Sequence, residues 1–250
     1  MRRFYVILIL ILGVLVSSVT LVSCNDDDDT SGSSNGGKSS KRIAKMILEH
    51  GKTIKEYVYT YDDKGRVVKI VETENGEVVC ETKYTYGEML INCTETYSNR
   101  KVVGVYTIEN GLITNRNNTT FFSYDNDKHL ISITEKYSFP EYTATKKIYW
   151  SNGDIIGYSD WYKDEESGIA VPWTNSNIPW HDGLYMHVYW DPVFQHLGYW
   201  GTLPKHMPSK CDKDTSEYTI TDGVITKIKS QVYTYKGEEY NTEICTIVWE

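Results

Sequence analysis

The sequence lacks any long stretch with the apolar period of an amphipathic helix, which excludes a predominantly helical fold. It also lacks the short motifs that carry common catalytic chemistry. There is no Gly-x-Ser-x-Gly elbow, no glycine-rich phosphate loop and no His-Glu-x-x-His zinc motif. These absences argue against the corresponding hydrolases and nucleotide-dependent enzymes. We therefore predict that the protein is not an enzyme and uses no cofactor.

The sequence has fewer basic than acidic residues, with 26 Lys and Arg against 34 Asp and Glu, and its net charge is −8. An acidic surface argues against nucleic acid or anionic lipid headgroups as partners.

The histidines are few, and their spacing does not suit a metal site. Their intervals match neither a helix nor a zinc ribbon, and no cysteine pair lies beside them. We therefore predict no metal site among the four central histidines, which are His181, His187, His196 and His206.

The N-terminus has the order of a secretory signal peptide. Two arginines precede an apolar run from Phe4 to Val16, which is short for the alternative, a transmembrane anchor. The run leads to Leu-Val-Ser-Cys24, which resembles a bacterial lipobox, and the resemblance implies that Cys24 becomes the first mature residue and carries lipid. We predict three regions: a signal peptide at 1–23, a tether at 24–41 and one domain at 42–250.

The predicted tether is acidic and then polar. Asp26–Asp29 form an acidic cluster, and almost only Ser, Gly, Asn and Lys follow up to Ser40. Such a stretch cannot bury enough apolar surface to offset its chain entropy. The cluster resembles the surface-export signal of lipoproteins from Gram-negative gut anaerobes, which implies an outer-membrane anchor and a protein facing outward. The alternative is a solvated linker without a signal.

Strand-forming residues dominate the rest of the chain. Tyr occurs 21 times, and Val, Ile and Thr are abundant. Seven segments share one form: an aromatic or aliphatic start, a turn with Gly, Asp or Asn, and an aliphatic strand. We predict an all-β fold, a long antiparallel meander of hairpins coiled into an open or closed barrel. The segments begin at Tyr59, Tyr84, Tyr106, Phe122, Ile148, Tyr218 and Tyr233.

The first hairpin shows how an aromatic face arises. With residues 62–65 as its loop, Tyr59 is expected opposite Val68 and Tyr57 opposite Ile70. Because alternate residues share one side of a strand, both tyrosines are expected to pack against branched aliphatics. Repeated over many hairpins, this pattern predicts a sheet with one aromatic face and one wetter face.

The hairpin units resemble the Tyr-Asp repeats of RHS proteins. Together with the Cys24 lipobox and the segment Leu197–Ser209, they more closely resemble an uncharacterised family of gut-bacterial surface lipoproteins with a porin-like fold. The resemblance implies an antiparallel barrel with no established activity and no catalytic residues. Charges such as Lys45, Lys69 and Glu81 interrupt the strands, whereas a membrane barrel needs an apolar outer band. We therefore predict a soluble barrel on a tether.

The segment 160–212 departs from the hairpin pattern. It holds five of the seven Trp and five of the six Pro, and we predict an irregular, aromatic-rich insertion. It can plug the barrel, or it can present an exposed platform for sugar rings. Trp173 and Trp180 are the platform candidates, because each follows a proline that stiffens the chain. The plug candidates are Trp190, Tyr199 and Trp200.

The remaining cysteines suit an oxidising compartment. Cys80 and Cys93 are candidate disulfide partners, because two-residue loops at 86–87 or 87–88 place them opposite or diagonal to each other. Two buried thiols are the alternative. Whether Cys211 and Cys245 pair is left open by the sequence.

These patterns favour a surface-tethered, non-enzymatic binding or accessory protein, with glycan or peptide as the candidate ligand and Cys24 as the link to the membrane. One alternative is a carrier of an apolar ligand inside a partly open barrel. Another is a structural or adhesive surface protein. The sequence does not define an oligomeric state.

Overall fold

A computed structural model describes residues 41–138, 141–159, 168–184, 194–195, 197–234 and 239–250. The predicted signal peptide, the lipid site at Cys24 and most of the tether lie outside this range. The described residues form sixteen strands: β1 (Ile43–His50), β2 (Thr53–Tyr61), β3 (Val67–Glu74), β4 (Glu77–Tyr86), β5 (Leu90–Tyr97), β6 (Lys101–Glu109), β7 (Leu112–Arg116), β8 (Thr120–Tyr124), β9 (Leu130–Ser138), β10 (Glu141–Ser151), β11 (Asp154–Tyr158), β12 (Val171–Pro179), β13 (His206–Cys211), β14 (Asp214–Thr221), β15 (Val224–Thr234) and β16 (Glu239–Trp249).

The strands form a closed antiparallel barrel. Each strand pairs with its neighbour in sequence, and β16 pairs with β1 to close the ring. No α-helix occurs among the described residues. The predicted all-β meander is confirmed, and of the two forms that we expected the barrel takes the closed one. Closure satisfies the backbone groups that an open sheet leaves unpaired at its edges.

Two-residue turns set the register of several hairpins. At Asn75-Gly76, Asn110-Gly111, Asn152-Gly153 and Asp222-Gly223, both residues have positive φ. This is the turn type whose twist matches paired antiparallel strands. The Asn-Gly and Asp-Gly signals in the sequence therefore report real hairpins.

The first hairpin keeps its predicted face but not its predicted pairing. Tyr57 is opposite Glu72 and Tyr59 is opposite Ile70, so the predicted partners are displaced by two residues. The turn holds an extra residue, with Gly65 at φ +74°, and a bulge follows between Thr60 and Tyr61. Tyr57 is nevertheless buried and Tyr59 packs against the core, because the shift of two preserves the alternation.

The core lies inside the barrel. Every strand places at least one side chain in or against a single buried cluster, and all sixteen strands surround that cluster. β1 begins at Ile43 and β16 ends at Trp249 at the same end of the barrel, where β12 also ends and β13 begins. We call this the plugged end and the opposite one the distal end.

The predicted insertion at 160–212 is too long. It contains β12 and β13, which are regular parts of the barrel wall. The described residues of their connection (180–184, 194–195 and 197–205) place Leu184, Phe194 and Trp200 in the core, and we call them the plug. The two strands pair across a long connection instead of a tight turn, and bulges interrupt their register. Short-range hairpin signals therefore do not mark them.

The predicted disulfide is also wrong. Cys80 pairs with Tyr97 and Cys93 pairs with Tyr84, which separates the two cysteines by four residues along the strands, about 13 Å. The turn is Glu88-Met89, further along the chain than either predicted loop, because the Gly87 amide donates to the Leu90 carbonyl. All four described cysteines are free thiols: Cys80, Cys93, Cys211 and Cys245.

Candidate functional site

The half of the lumen near the plugged end is packed with aromatic side chains. Phe194, which is fully buried, contacts the rings of Tyr84 and Tyr106 edge to face at centroid distances of 5.5 and 5.1 Å. Trp200, also fully buried, contacts Phe122 at 4.9 Å. Such contacts combine large buried area with favourable ring geometry. This half of the lumen is therefore a core.

The platform prediction fails for Trp173. Its side chain is only 7 % exposed, because it lies on the inner face of β12 and packs edge to face on Tyr158 at 6.3 Å. Trp180 is half-buried and packs against the core. Trp173 is therefore buried and Trp180 is half-buried, and no tryptophan among the described residues forms an exposed platform.

The plug candidates differ in how much the structure describes of them. Trp200 is fully buried and Tyr199 is half-buried against the core, the positions that a plug requires. The Tyr199 carbonyl accepts a hydrogen bond from the Ile113 amide at 2.9 Å, which joins the plug to β7. Trp190 lies outside the described residues.

The distal half of the lumen is polar. Registers place charged and hydroxyl side chains there on the same inner face as the core residues of each strand. Most are partly exposed, and several form ion pairs with one another. We call these side chains the distal lumen: His50, Lys55, Glu72, Glu74, Glu95, Tyr97, Arg116, Glu135, Tyr137, Tyr142, Ser230 and Glu243.

Some carboxylates of the distal lumen have a basic side chain beside them. Lys55 Nζ lies 3.1 Å from Glu74 Oε2, and His50 Nδ1 lies 2.9 Å from Glu243 Oε1. All four side chains retain substantial exposure, so each pair contributes little to stability. Glu72 and Glu135 have no ion pair among the described residues.

Two buried polar groups lie deeper, where the distal lumen meets the core. Glu72 is 7 % exposed, and burial raises its pKa to about 7, although the Lys55 ammonium offsets part of the rise. Tyr57, directly opposite on β2, is 3 % exposed. Its hydroxyl has no hydrogen-bond partner among the described residues. A buried hydroxyl without a partner is costly, and it marks a point where an occupant of the lumen would be stabilised.

One wall of the distal lumen is built around Arg116 of β7. Its guanidinium lies 5.6 Å from the ring centre of Tyr106 and 3.9 Å from Glu95 Oε1. Gly104 makes room for it, because a Cβ at this position would lie 3.4 Å from both Nε and Nη2 of the arginine. The arginine is therefore held against the inner wall, between the Tyr106 ring and Glu95.

Tyrosine–carboxylate pairs flank the arginine. Tyr97 donates its hydroxyl to Glu95 Oε2 at 2.8 Å, and Tyr137 donates its hydroxyl to Glu135 Oε2. Tyr137 also stacks on Tyr142, with ring centres 4.3 Å apart and planes 5° from parallel. Tyr142 is 37 % exposed, so the stack presents an accessible aromatic surface.

One group of metal-ligand type occurs among the described residues, but its geometry is that of a turn. The ligand atoms of Asp125, Asp127 and His129 lie within 4.8 Å of one another. Asp125 Oδ1 accepts hydrogen bonds from the amides of Asp127 and His129 at 3.0 and 2.8 Å. Asp62 Oδ1 accepts hydrogen bonds from the amides of Lys64 and Arg66 in the first hairpin in the same way. The Asp125 group therefore stabilises a turn of the same type.

The fold is a closed, plugged β-barrel, and its overall architecture is similar to that of a solved structure. A porin-like protein from Bacteroides uniformis ATCC 8492 matches with a TM-score of 0.56 and 17% sequence identity, over 83% of this chain and 98% of that one. The porin-like fold expected from the sequence is therefore confirmed. No protein-family model matches the chain, and no curated protein does. Among the described residues, no helix has the length and apolarity needed to cross a membrane.

Sequence reasoning missed the distal lumen. Its residues come from many strands, and each strand contributes only one or two of them. A signal was nevertheless present, because Thr-Glu-x-Tyr-Ser occurs both at 94–98 and at 134–138.

Proposed function

We propose that this protein is a surface-tethered, non-enzymatic binding protein whose ligand enters the distal lumen. The observation that carries the proposal is the division of the lumen. One half is filled by the plug, whereas the other is lined by accessible charged and aromatic side chains above the unpartnered Tyr57 hydroxyl. Such a concave surface with convergent polar groups is typical of ligand sites.

The position of the termini supports a capture role. Arg42 and Glu250 exchange two backbone hydrogen bonds, of 2.9 and 2.8 Å, at the plugged end. A lipid-bearing tether that ends at residue 41 therefore joins the barrel at the end farthest from the distal lumen. On a membrane, this arrangement directs the distal lumen toward the surroundings.

The outer face supports a barrel outside the lipid. Lys45 and Glu56 form an ion pair of 3.6 Å on the outside of β1 and β2. Glu81 pairs with Lys69 at 2.5 Å and with Lys83 at 2.7 Å on the outside of β3 and β4. Charges on the lipid face of a membrane barrel are costly. They cost little on a face in water.

The polar lining favours this function over carriage of an apolar ligand. An apolar guest would strip water from Lys55, Arg116 and the neighbouring carboxylates without replacing their hydrogen bonds. The apolar half of the lumen already holds Phe194 and Trp200.

Blocking the distal lumen tests the proposal. Ser230→Cys on its inner face and Thr242→Cys on the outer face of the next strand are each labelled with a bulky maleimide. Cys211 and Cys245 are poor competitors for the label, because burial raises the pKa of Cys211 to about 11 and that of Cys245 to about 12. Both labelled full-length proteins are then applied to an array of oligosaccharides and peptides.

We expect label at Ser230 to abolish the binding that the unlabelled protein shows, and label at Thr242 to preserve it. Binding that survives label at Ser230 would place the site outside the lumen. An unlabelled protein that retains nothing from the array would contradict a binding role.

A further inference from the structure

We propose that the wall of the distal lumen from β5 to β10 binds a neutral oligosaccharide. This inference rests on the proposed function and specifies the ligand class of the same site. It starts from the two Thr-Glu-x-Tyr-Ser segments, 94–98 and 134–138, which both end at the distal end.

The two segments place the same group at two points of the wall. In each, Glu and Tyr face the lumen, and the Tyr hydroxyl donates to the Glu carboxylate. They lie on β5 and β9, four strands apart, which is about 19 Å along the wall. That span exceeds one sugar ring and suits a short chain of them.

The tyrosines prepare the carboxylates for hydroxyl ligands. A hydrogen bond from Tyr97 or Tyr137 fixes the orientation of its carboxylate and occupies one acceptor site. A carboxylate has about four such sites, so several remain. Fixed acceptors of this kind bind hydroxyl donors with little loss of side-chain entropy.

Arg116 supplies donors between the two acceptors. It lies on β7, midway between Glu95 on β5 and Glu135 on β9. The side chain is confined by the Tyr106 ring and by the space that Gly104 leaves. A hydroxyl both donates and accepts, so a row of acceptor, donor and acceptor matches a polyhydroxylated chain better than a ligand of one polarity.

The Tyr137–Tyr142 stack supplies a flat apolar surface at the end of this row. Its rings are nearly parallel, and Tyr142, on the inner face of β10, is 37 % exposed. The apolar face of a sugar ring packs well on such a surface, while its edge hydroxyls reach the adjacent Glu135.

The charge balance favours a neutral ligand. An anionic chain would meet Glu95 and Glu135 on the wall and Glu72 beneath it. A cationic chain would meet the positive charges of Arg116 beside Glu95 and of Lys55 beside Glu74. A neutral ligand meets neither obstacle.

Calorimetry on the full-length protein tests the proposal. The probes are neutral hexasaccharides of different linkage (cellohexaose, maltohexaose, laminarihexaose and xylohexaose), with hexagalacturonate and hexalysine as charged counterparts. We expect at least one neutral hexasaccharide to bind and hexagalacturonate not to bind. Tyr142→Ala and Glu135→Gln should each weaken that binding by about tenfold or more.

The outer face offers matched control variants. Tyr240 lies opposite Tyr233 in a cross-strand pair on the outside of β15–β16, as Tyr142 lies opposite Tyr137 on the inside. Glu217 is an outer carboxylate, 3.5 Å from its partner Lys229. Tyr240→Ala and Glu217→Gln should leave the affinity unchanged.

Three results would overturn the proposal. In the first, no neutral hexasaccharide binds. In the second, hexalysine alone binds and loses affinity with Glu135→Gln, which keeps the distal lumen as a binding site but changes its ligand to a cation. In the third, a neutral hexasaccharide binds and both inner variants retain its affinity, which moves the sugar site elsewhere. In the second case, the maleimide label at Ser230→Cys should still abolish hexalysine binding, and that result would uphold the proposed function while overturning the oligosaccharide proposal.

Discussion

Replacement of Gly201 tests whether the plug holds the barrel together. Gly201 has φ +74°, and a Cβ built on it would lie 2.2 Å from the carbonyl oxygen of Lys128 in the β8–β9 turn. The same oxygen accepts the amide of Thr202 at 2.9 Å. The carbonyl therefore cannot retreat from a new methyl group without losing the hydrogen bond that joins plug and wall.

Gly198, three residues earlier in the plug, is a matched control. Its φ is +72°, yet a Cβ there would have no neighbour within 4 Å. Gly198→Ala should therefore lower the free energy of unfolding only by the cost of a left-handed alanine, about 1–2 kcal/mol. Gly201→Ala has the same backbone cost and adds the clash and a lost hydrogen bond worth about 1 kcal/mol. We expect a total of about 3–4 kcal/mol for Gly201→Ala.

The two variants are compared by urea unfolding, followed by tryptophan fluorescence, and by thermal melting. For a barrel of this size, each kcal/mol corresponds to a Tm shift of about 2–4 °C. Equal losses in Gly198→Ala and Gly201→Ala would refute the contact between the plug and the β8–β9 turn.

Four further measurements check other parts of the structure. Trp200→Ala should cost about 3–5 kcal/mol, since it empties a fully buried site, and a melting temperature equal to wild type would contradict this burial. Burial raises the pKa of Glu72 from 4.5 to about 7, so the folded state binds this proton more tightly than the unfolded state does. The free energy of unfolding should therefore fall as the pH rises from about 4.5 to 7. Glu72→Gln should remove that part of the pH dependence. Cys24→Ala should abolish metabolic labelling with a lipid analogue, and label that persists would contradict lipidation at this residue. Thiol titration of the chain, denatured without reductant, should find free thiols at all four described cysteines, Cys80, Cys93, Cys211 and Cys245. The melting temperature should be the same with and without reductant.

Local signals in the sequence account for most of the barrel wall. Turns such as Asn110-Gly111 and Asn152-Gly153 are predicted from two residues and are found with the expected positive φ. The inward face of β2 is predicted from the alternation of Tyr57 and Tyr59. These features are local, because turn geometry and side-chain alternation depend on residues a few positions apart.

Register was less predictable than the strands themselves. A bulge beside Tyr61 shifts the first hairpin, and a turn at Glu88-Met89 moves Cys80 away from Cys93. One residue more or less in a turn leaves the sequence pattern almost unchanged, yet it changes every cross-strand partner.

The sequence by itself determined that this chain is an antiparallel β meander with aromatic residues on one face. Only the tertiary structure decided that the meander closes, that β12 and β13 complete its wall and that the plug fills one half of the lumen. It also decided where the polar residues meet. Glu95, Arg116 and Glu135 are separated by about twenty residues each in sequence, and they share one wall only because closure brings β5, β7 and β9 around a common interior. Contacts of that range depend on the whole ring of hydrogen-bonded strands, which no short segment encodes.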